Sequence, residues 1–114
     1  MESLKKNQDF QKVYQFGKSS ANRLLVMYVW KNPQGGKRIG ISVSKKVGNS
    51  VVRHHLTRLI RESYRLHEDL FANGYDIVVI ARVAAKKSGY HEICHALLSL
   101  GRFHHIYECD AKEV

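Results

Sequence analysis

Residues 38–66 read RIGISVSKKVGNSVVRHHLTRLIRESYRL. The opening seven alternate: Ile39, Ile41 and Val43 point one way, and Gly40, Ser42 and Ser44 the other. A period of two marks a half-buried strand. After the polar turn Lys45-Lys46-Val47-Gly48-Asn49 the period changes. With residues set about 100° apart, Val52, Leu56, Leu59, Ile60 and Tyr64 share one arc, while His54, Arg58, Arg61 and Arg65 occupy the opposite one. Asn49 or Ser50 suits an N-cap, so the spacing predicts an amphipathic helix from about residue 50 to residue 66.

The flanks extend this reading. Phe10, Val13 and Tyr14 stand at i, i+3 and i+4, which predicts a helix from an Asn7 cap to Phe16 with Gly17 as its stop. Residues 23–30 are rich in Leu, Val, Tyr and Trp and read as a strand. The cluster Asn32-Pro33-Gln34-Gly35-Gly36 is a turn, so the strands on either side are expected to form a hairpin. Asn73-Gly74 breaks the chain before an apolar strand at 75–81. Ser88 is placed to cap a last helix with Ile93, Ala96, Leu97, Leu100 and Phe103 inward. No repeat, low-complexity tract or linker appears. The 114 residues read as one α+β domain in the order helix, hairpin, helix, strand, helix.

Charge singles out the same central segment. The chain has 19 Lys and Arg against 10 Asp and Glu. Within 37–65 stand Lys37, Arg38, Lys45, Lys46, Arg53, Arg58, Arg61 and Arg65, opposed by Glu62 alone. A solubilising surface mixes both signs. A row of planar guanidinium forks suits phosphate, which points to nucleic acid as the partner. The longest apolar run, at 24–30, is too short to cross a bilayer. The N-terminus shows no apolar signal core, and Cys94 and Cys109 form no CxxC pair. A cytoplasmic protein is the expectation.

The small polar face of Gly40, Ser42 and Ser44 lets another chain approach closely. Phe10, Tyr14 and Tyr28 could flank such a floor, and unstacked bases lie well on aromatic rings. The plainer alternative is that these aromatics are core. Catalytic patterns are missing: no paired-carboxylate constellation, GxSxG, P-loop or HExxH is present. His91 and His95, with Cys94 between them, read as the outer face of the last helix rather than a metal clip. The residues alone describe an RNA-binding module without its own active site.

The run from Gly40 to Arg53, continuing through Arg58-Leu59-Ile60-Arg61-Glu62, resembles the protein subunit of bacterial ribonuclease P. Residues 4–14, the triplet Ala21-Asn22-Arg23 and the strand at 76–82 match that family in the same order, so the resemblance covers about residues 4–104. It implies the order helix, three strands, helix, strand, helix, with a four-stranded sheet and a left-handed crossover (the ribosomal S5 domain 2-like fold). The extra strand would lie near 18–20. The tail, 106–114, falls outside the matched core, and disorder is the expectation for it. The resemblance also implies that the catalytic groups belong to an RNA subunit, which removes the 5′ leader of precursor tRNA with Mg²⁺ held mainly by RNA. The partners would be the catalytic RNA and precursor tRNA, with no membrane and no obligate protein partner.

Carried over residue by residue, the resemblance places catalytic-RNA contacts on Lys46, Arg53, Arg58 and Arg61. Lys45, His54, His55 and Arg65 join them as candidates from the same turn and helix. Leader contacts fall on Phe10, Tyr14, Val26, Tyr28 and Ser42, with Arg23 and Ser44 as further candidates. Two positions depart from the family pattern. Arg53-His54-His55 replaces the usual Arg-Asn-Arg, and Thr57 replaces a Lys. Neutral histidine removes fixed charge and makes binding sensitive to pH. A structural RNA binder, such as a ribosomal protein or an RNA chaperone, is the alternative function.

Overall fold

The alternating strand does not pair with the strand that precedes it. In the computed structural model, which describes residues 1–108, the elements are β1 (Glu2–Ser3), α1 (Asn7–Phe16), β2 (Lys18–Ala21), β3 (Leu25–Lys31), β4 (Arg38–Ser42), α2 (Ser50–His67), β5 (Tyr75–Ala81) and α3 (Tyr90–Phe103). The strands form one mixed sheet in the order β1-β4-β5-β3-β2. β5 lies between β3 and β4, antiparallel to the first and parallel to the second. The hairpin expected from the 32–36 turn is therefore absent.

The reason lies in the side chains of β5. Ile77, Val79 and Ala81 are buried on one face and Val78 on the other. A strand apolar on both faces belongs in the middle of a sheet. Parallel pairing of β4 with β5 requires a long crossover, and α2 supplies it. The sheet has five strands, one more than expected; the addition is β1, which pairs in parallel with the start of β4. β2 lies where the resemblance placed the extra strand.

The sheet separates two apolar clusters. Leu25, Met27, Val29, Ile39, Ile77 and Val79 face α2 and α3 and pack with Leu56, Ile60, Tyr64, Ile93 and Leu97. Leu4, Val13 and Val78 form a smaller cluster on the other face, joined by half-buried Phe10, Tyr14, Tyr28, Trp30 and Ile80. α1 covers only part of that second face.

Local signals explain the boundaries, with three corrections. Asn49 caps α2 as expected, its side chain accepting from Val52 N–H at 3.0 Å. Lys37 Nζ donates to the carbonyls of Glu68 (2.6 Å) and Phe71 (2.9 Å), tying the far end of α2 to the start of β4. Lys6, not Asn7, precedes α1, and no side chain caps it. Gly89, not Ser88, precedes α3; its N–H donates to Glu92 Oε1 at 3.0 Å. Phe103 is 66% exposed rather than inward, because α3 ends there and the chain turns through His105 at φ 59°.

Asp76 is fully buried and carries two partners. Arg38 donates to both carboxylate oxygens (3.0 and 2.6 Å), and Asn32 Nδ2 adds a third bond at 2.8 Å. A buried carboxylate needs such pairing, so this charge belongs to the scaffold. Ile106 and Tyr107 are buried, and Ala72 N–H donates to the Ile106 carbonyl at 2.7 Å. The remainder of the tail, 109–114, lies outside the described residues. No helix among the described residues is long and apolar enough to cross a membrane.

Candidate nucleic-acid interface

The groove forms where α1 leaves the second sheet face open. Val26, Ile80 and Ser42 pair across β3, β5 and β4, and Tyr28, Val78 and Gly40 form the next row. Phe10 and Tyr14 lean over these rows from α1, their ring centroids 6.4 Å apart. Tyr14 meets Tyr28 edge-on at 5.0 Å. Burial, and then the neighbouring Tyr28, raise the Tyr14 phenol above its ordinary range, against a hydrogen bond with Ser42 that lowers it. All three rings are half-buried, so they pack on the scaffold and still present surface. Gly40 is not an open floor as expected: it is buried beneath Phe10.

The structure thus brings Phe10, Tyr14, Val26, Tyr28 and Ser42 together. Ile80 joins them and was missed by sequence reasoning; its position two residues after Val78 was the available signal. Ser44 lies farther on, exposed at the start of the turn, where its carbonyl accepts from Val47 N–H at 3.1 Å. Arg23 is separated from this set. It lines a cleft of about 330 Å³ with Glu92, His95 and Ser99 of α3.

The basic ridge lies across the sheet on the outer side of α2. Lys45 and Lys46 are exposed in the turn before it, and His54, His55, Arg58, Arg61 and Arg65 are exposed along it. Two clefts flank the ridge and share Arg61. One, of about 420 Å³, is lined by Ile41, Val43, Ser50, Arg53, His54 and Thr57. The other, of about 440 Å³, is lined by His55, Arg58, Leu59, Glu62 and Tyr90. Thr57, noted above as a departure from the family pattern, lines the first cleft, and Tyr90, which the charge pattern did not reveal, lines the second.

The arginines are not equivalent. Arg53 is half-buried, and its Nε is buried without a hydrogen-bond partner. Arg65 is engaged: its Nε and Nη2 reach Glu62 at 3.0 and 2.5 Å. The hydrogen bond from Arg65 holds the Glu62 carboxyl below its ordinary range. Arg58 and Arg61 are both exposed. No three His, Cys, Asp or Glu side chains among the described residues gather into a cluster that could hold a metal ion.

Fold and site define a small basic α+β domain that carries an arginine ridge on one side of its sheet and an aromatic groove on the other. A model of the Ribonuclease P family matches residues 1–103. A ribonuclease P protein component from Lachnoclostridium phytofermentans is 57% identical over 105 residues, covering 92% of this chain and 90% of its own. The structure of the RNase P protein of Staphylococcus aureus superposes with a TM-score of 0.87 at 38% identity, covering 95% of this chain and 99% of its own. That of the RNase P protein from Thermotoga maritima gives 0.81 at 32% identity, with 90% and 97% covered. The chain belongs to the ribonuclease P protein family, whose place is in tRNA processing within the ribonuclease P endoribonuclease, in partnership with the ribonuclease P RNA.

Proposed function

We propose that this protein binds the catalytic RNA through the α2 ridge and grips the 5′ leader of precursor tRNA in the α1–sheet groove. The observation that carries the reading is the segregation of two chemistries on two faces of one sheet. Arg53, Arg58 and Arg61, with Lys46 at the entrance, offer forks and point charge to phosphates. Phe10, Tyr14 and Tyr28 offer faces and edges to unstacked bases. One domain can then hold a folded RNA on one side and a single strand on the other.

Cleavage is assigned to the RNA. Mg²⁺ is taken to be bound by the RNA subunit and substrate, and no step is given to an ion held by this chain. The protein's part is to raise local substrate concentration and to align the leader.

The test is reconstitution. The protein is mixed with a bacterial ribonuclease P RNA and a precursor tRNA at low Mg²⁺, and mature 5′ ends are counted. Release of the leader only when the protein is present supports the proposal. RNA binding with no rise in mature ends overturns it and leaves a structural RNA binder. Tyr14→Ala separates groove from core: stacking of one base is worth about 1–3 kcal/mol, so precursor affinity falls about tenfold or more while mature tRNA affinity holds. A stable variant with both affinities unchanged removes Tyr14 from the groove.

A further inference from the structure

The cleft between α2 and α3 holds more than cations. From α2 come His55, Arg58, Arg61 and Glu62, with half-buried Leu59 as an apolar patch among them. Tyr90 enters from the other side as the first residue of α3. Its ring is fixed in place. The hydroxyl hydrogen-bonds with the side chains of Cys94, one turn on in α3, and Ser63, which is buried on α2. His91 meets the ring edge-on at 5.5 Å, inclined by 76°. Tyr90 is nevertheless only half-buried. It bridges the two helices and still presents surface to the cleft.

The charges around the ring are unequal. Glu62 is the one carboxylate on the cleft, and Arg65 already engages both of its oxygens. Arg58 and Arg61 are exposed and, three positions apart on a helix, are neighbours about 5–6 Å apart at their β-carbons. Backbone phosphates alone would use these two forks and leave Leu59 and Tyr90 idle. Paired RNA keeps its base faces inside the stack. An unstacked base offers a flat apolar face, and a rigid aromatic ring beside arginines is the arrangement that takes it up. An acidic protein segment would satisfy the arginines but leave the ring unused. The plain alternative makes Tyr90 a spacer, its ring needed only to carry the hydroxyl to Ser63.

We propose that Tyr90 is a base-stacking residue: one nucleotide of the catalytic RNA leaves its stack and lies on the Tyr90 ring, with the flanking phosphates on Arg58 and Arg61. The ridge then selects an unpaired position in the RNA and does not read backbone charge alone. The proposal rests on the ridge reading above.

The experiment titrates the full chain with a bacterial ribonuclease P RNA across a salt series. Tyr90→Leu keeps apolar bulk but has no aromatic face, and its affinity is expected to fall about tenfold with the salt slope unchanged. Tyr90→Phe keeps the ring without the hydroxyl and is expected to bind as the wild type does. Arg58→Ala is the control, with a slope reduced by about one. Tyr90→Leu binding at wild-type affinity overturns the proposal. So does an equal loss in the Phe and Leu variants, which makes the bridge to Ser63 the feature that counts, or a loss that comes with a reduced slope, which is the mark of a phosphate contact. Should Tyr90→Leu fail to melt cooperatively, acylation of RNA 2′-hydroxyls with and without the wild-type protein decides. A nucleotide that is reactive in free RNA and protected in the complex supports stacking, and protection confined to paired segments overturns it. The ridge reading is tested apart from this. If Arg58→Ala and Arg61→Ala leave RNA binding unchanged, that reading falls and the proposal with it; if they weaken binding and Tyr90→Leu does not, only the proposal falls.

Discussion

The ring of Phe10 lies on the α-carbon of Gly40. A β-carbon built on residue 40 would stand 2.6 Å from Cε1 and Cζ of that ring, and 3.2 Å from Cδ1 of Leu4. The first helix can approach the sheet this closely only because β4 has no side chain there. The contact sets the height of α1 above the groove, and so the position of Tyr14 over Tyr28.

Gly40→Ala is therefore expected to push Phe10 and the start of α1 outward. Overpacking of this kind costs about 1–3 kcal/mol. Urea denaturation should record that loss, and the ratio of precursor to mature tRNA affinity should fall with it. Wild-type values for both would mean that the ring yields without moving the helix.

On the ridge, Arg58→Ala and Arg61→Ala are each expected to weaken catalytic-RNA binding and to reduce the slope of log affinity against log salt by about one. Arg65→Ala should change it less, because its Nε and Nη2 already serve Glu62. Glu62→Gln should loosen that pair and tighten RNA binding. Affinity measured across a salt series decides the order; an Arg65 effect as large as that of Arg61 would contradict it.

Tyr64 is buried in the main core, and its hydroxyl has no partner. Burial raises its phenol far above the ordinary range. A buried hydroxyl that loses water without gaining a bond is a net cost. Tyr64→Phe should keep the packing against Phe71 (centroids 5.0 Å apart) and raise stability by about 1 kcal/mol. A clear fall in melting temperature would show that the hydroxyl is bonded in solution.

The burial of His104 sets the sign of a pH dependence. Its imidazole is held below the ordinary range by burial first, and also by His105 and Lys18, against a hydrogen bond to the Met27 backbone that raises it. Its Nε2 lies 3.1 Å from Ser20 Oγ. A histidine with a lowered folded pKa binds its proton more readily when unfolded. Its stabilising share is therefore complete above about pH 6.5 and is lost as pH falls below that value. Melting temperatures from pH 7.5 to 5.5 should decline more steeply for the wild type than for His104→Gln. Parallel curves would remove His104 as a contributor.

Much of this protein could be read directly from residue order. Local periodicity marked α1, β4, α2, β5 and the inward face of α3, because helix and strand spacing depend on neighbours a few residues away. The one-sided ridge followed from the same arithmetic. Tertiary structure alone decided which strands pair. The turn at 32–36 suggested a hairpin, yet β5, apolar on both faces, takes the central place and drives β3 and β4 apart; that choice is made by burial across the whole sheet and not by the turn. It also decided the site's membership. Arg23 and Tyr28 are five residues apart, but the turn between them sends one to α3 and the other to the groove. Arg61 and Arg65 look alike on the helix, but Glu62 engages only the second. Which face a side chain meets, and which partner already holds it, depends on contacts between segments distant in the chain, and these exist only once the sheet has formed.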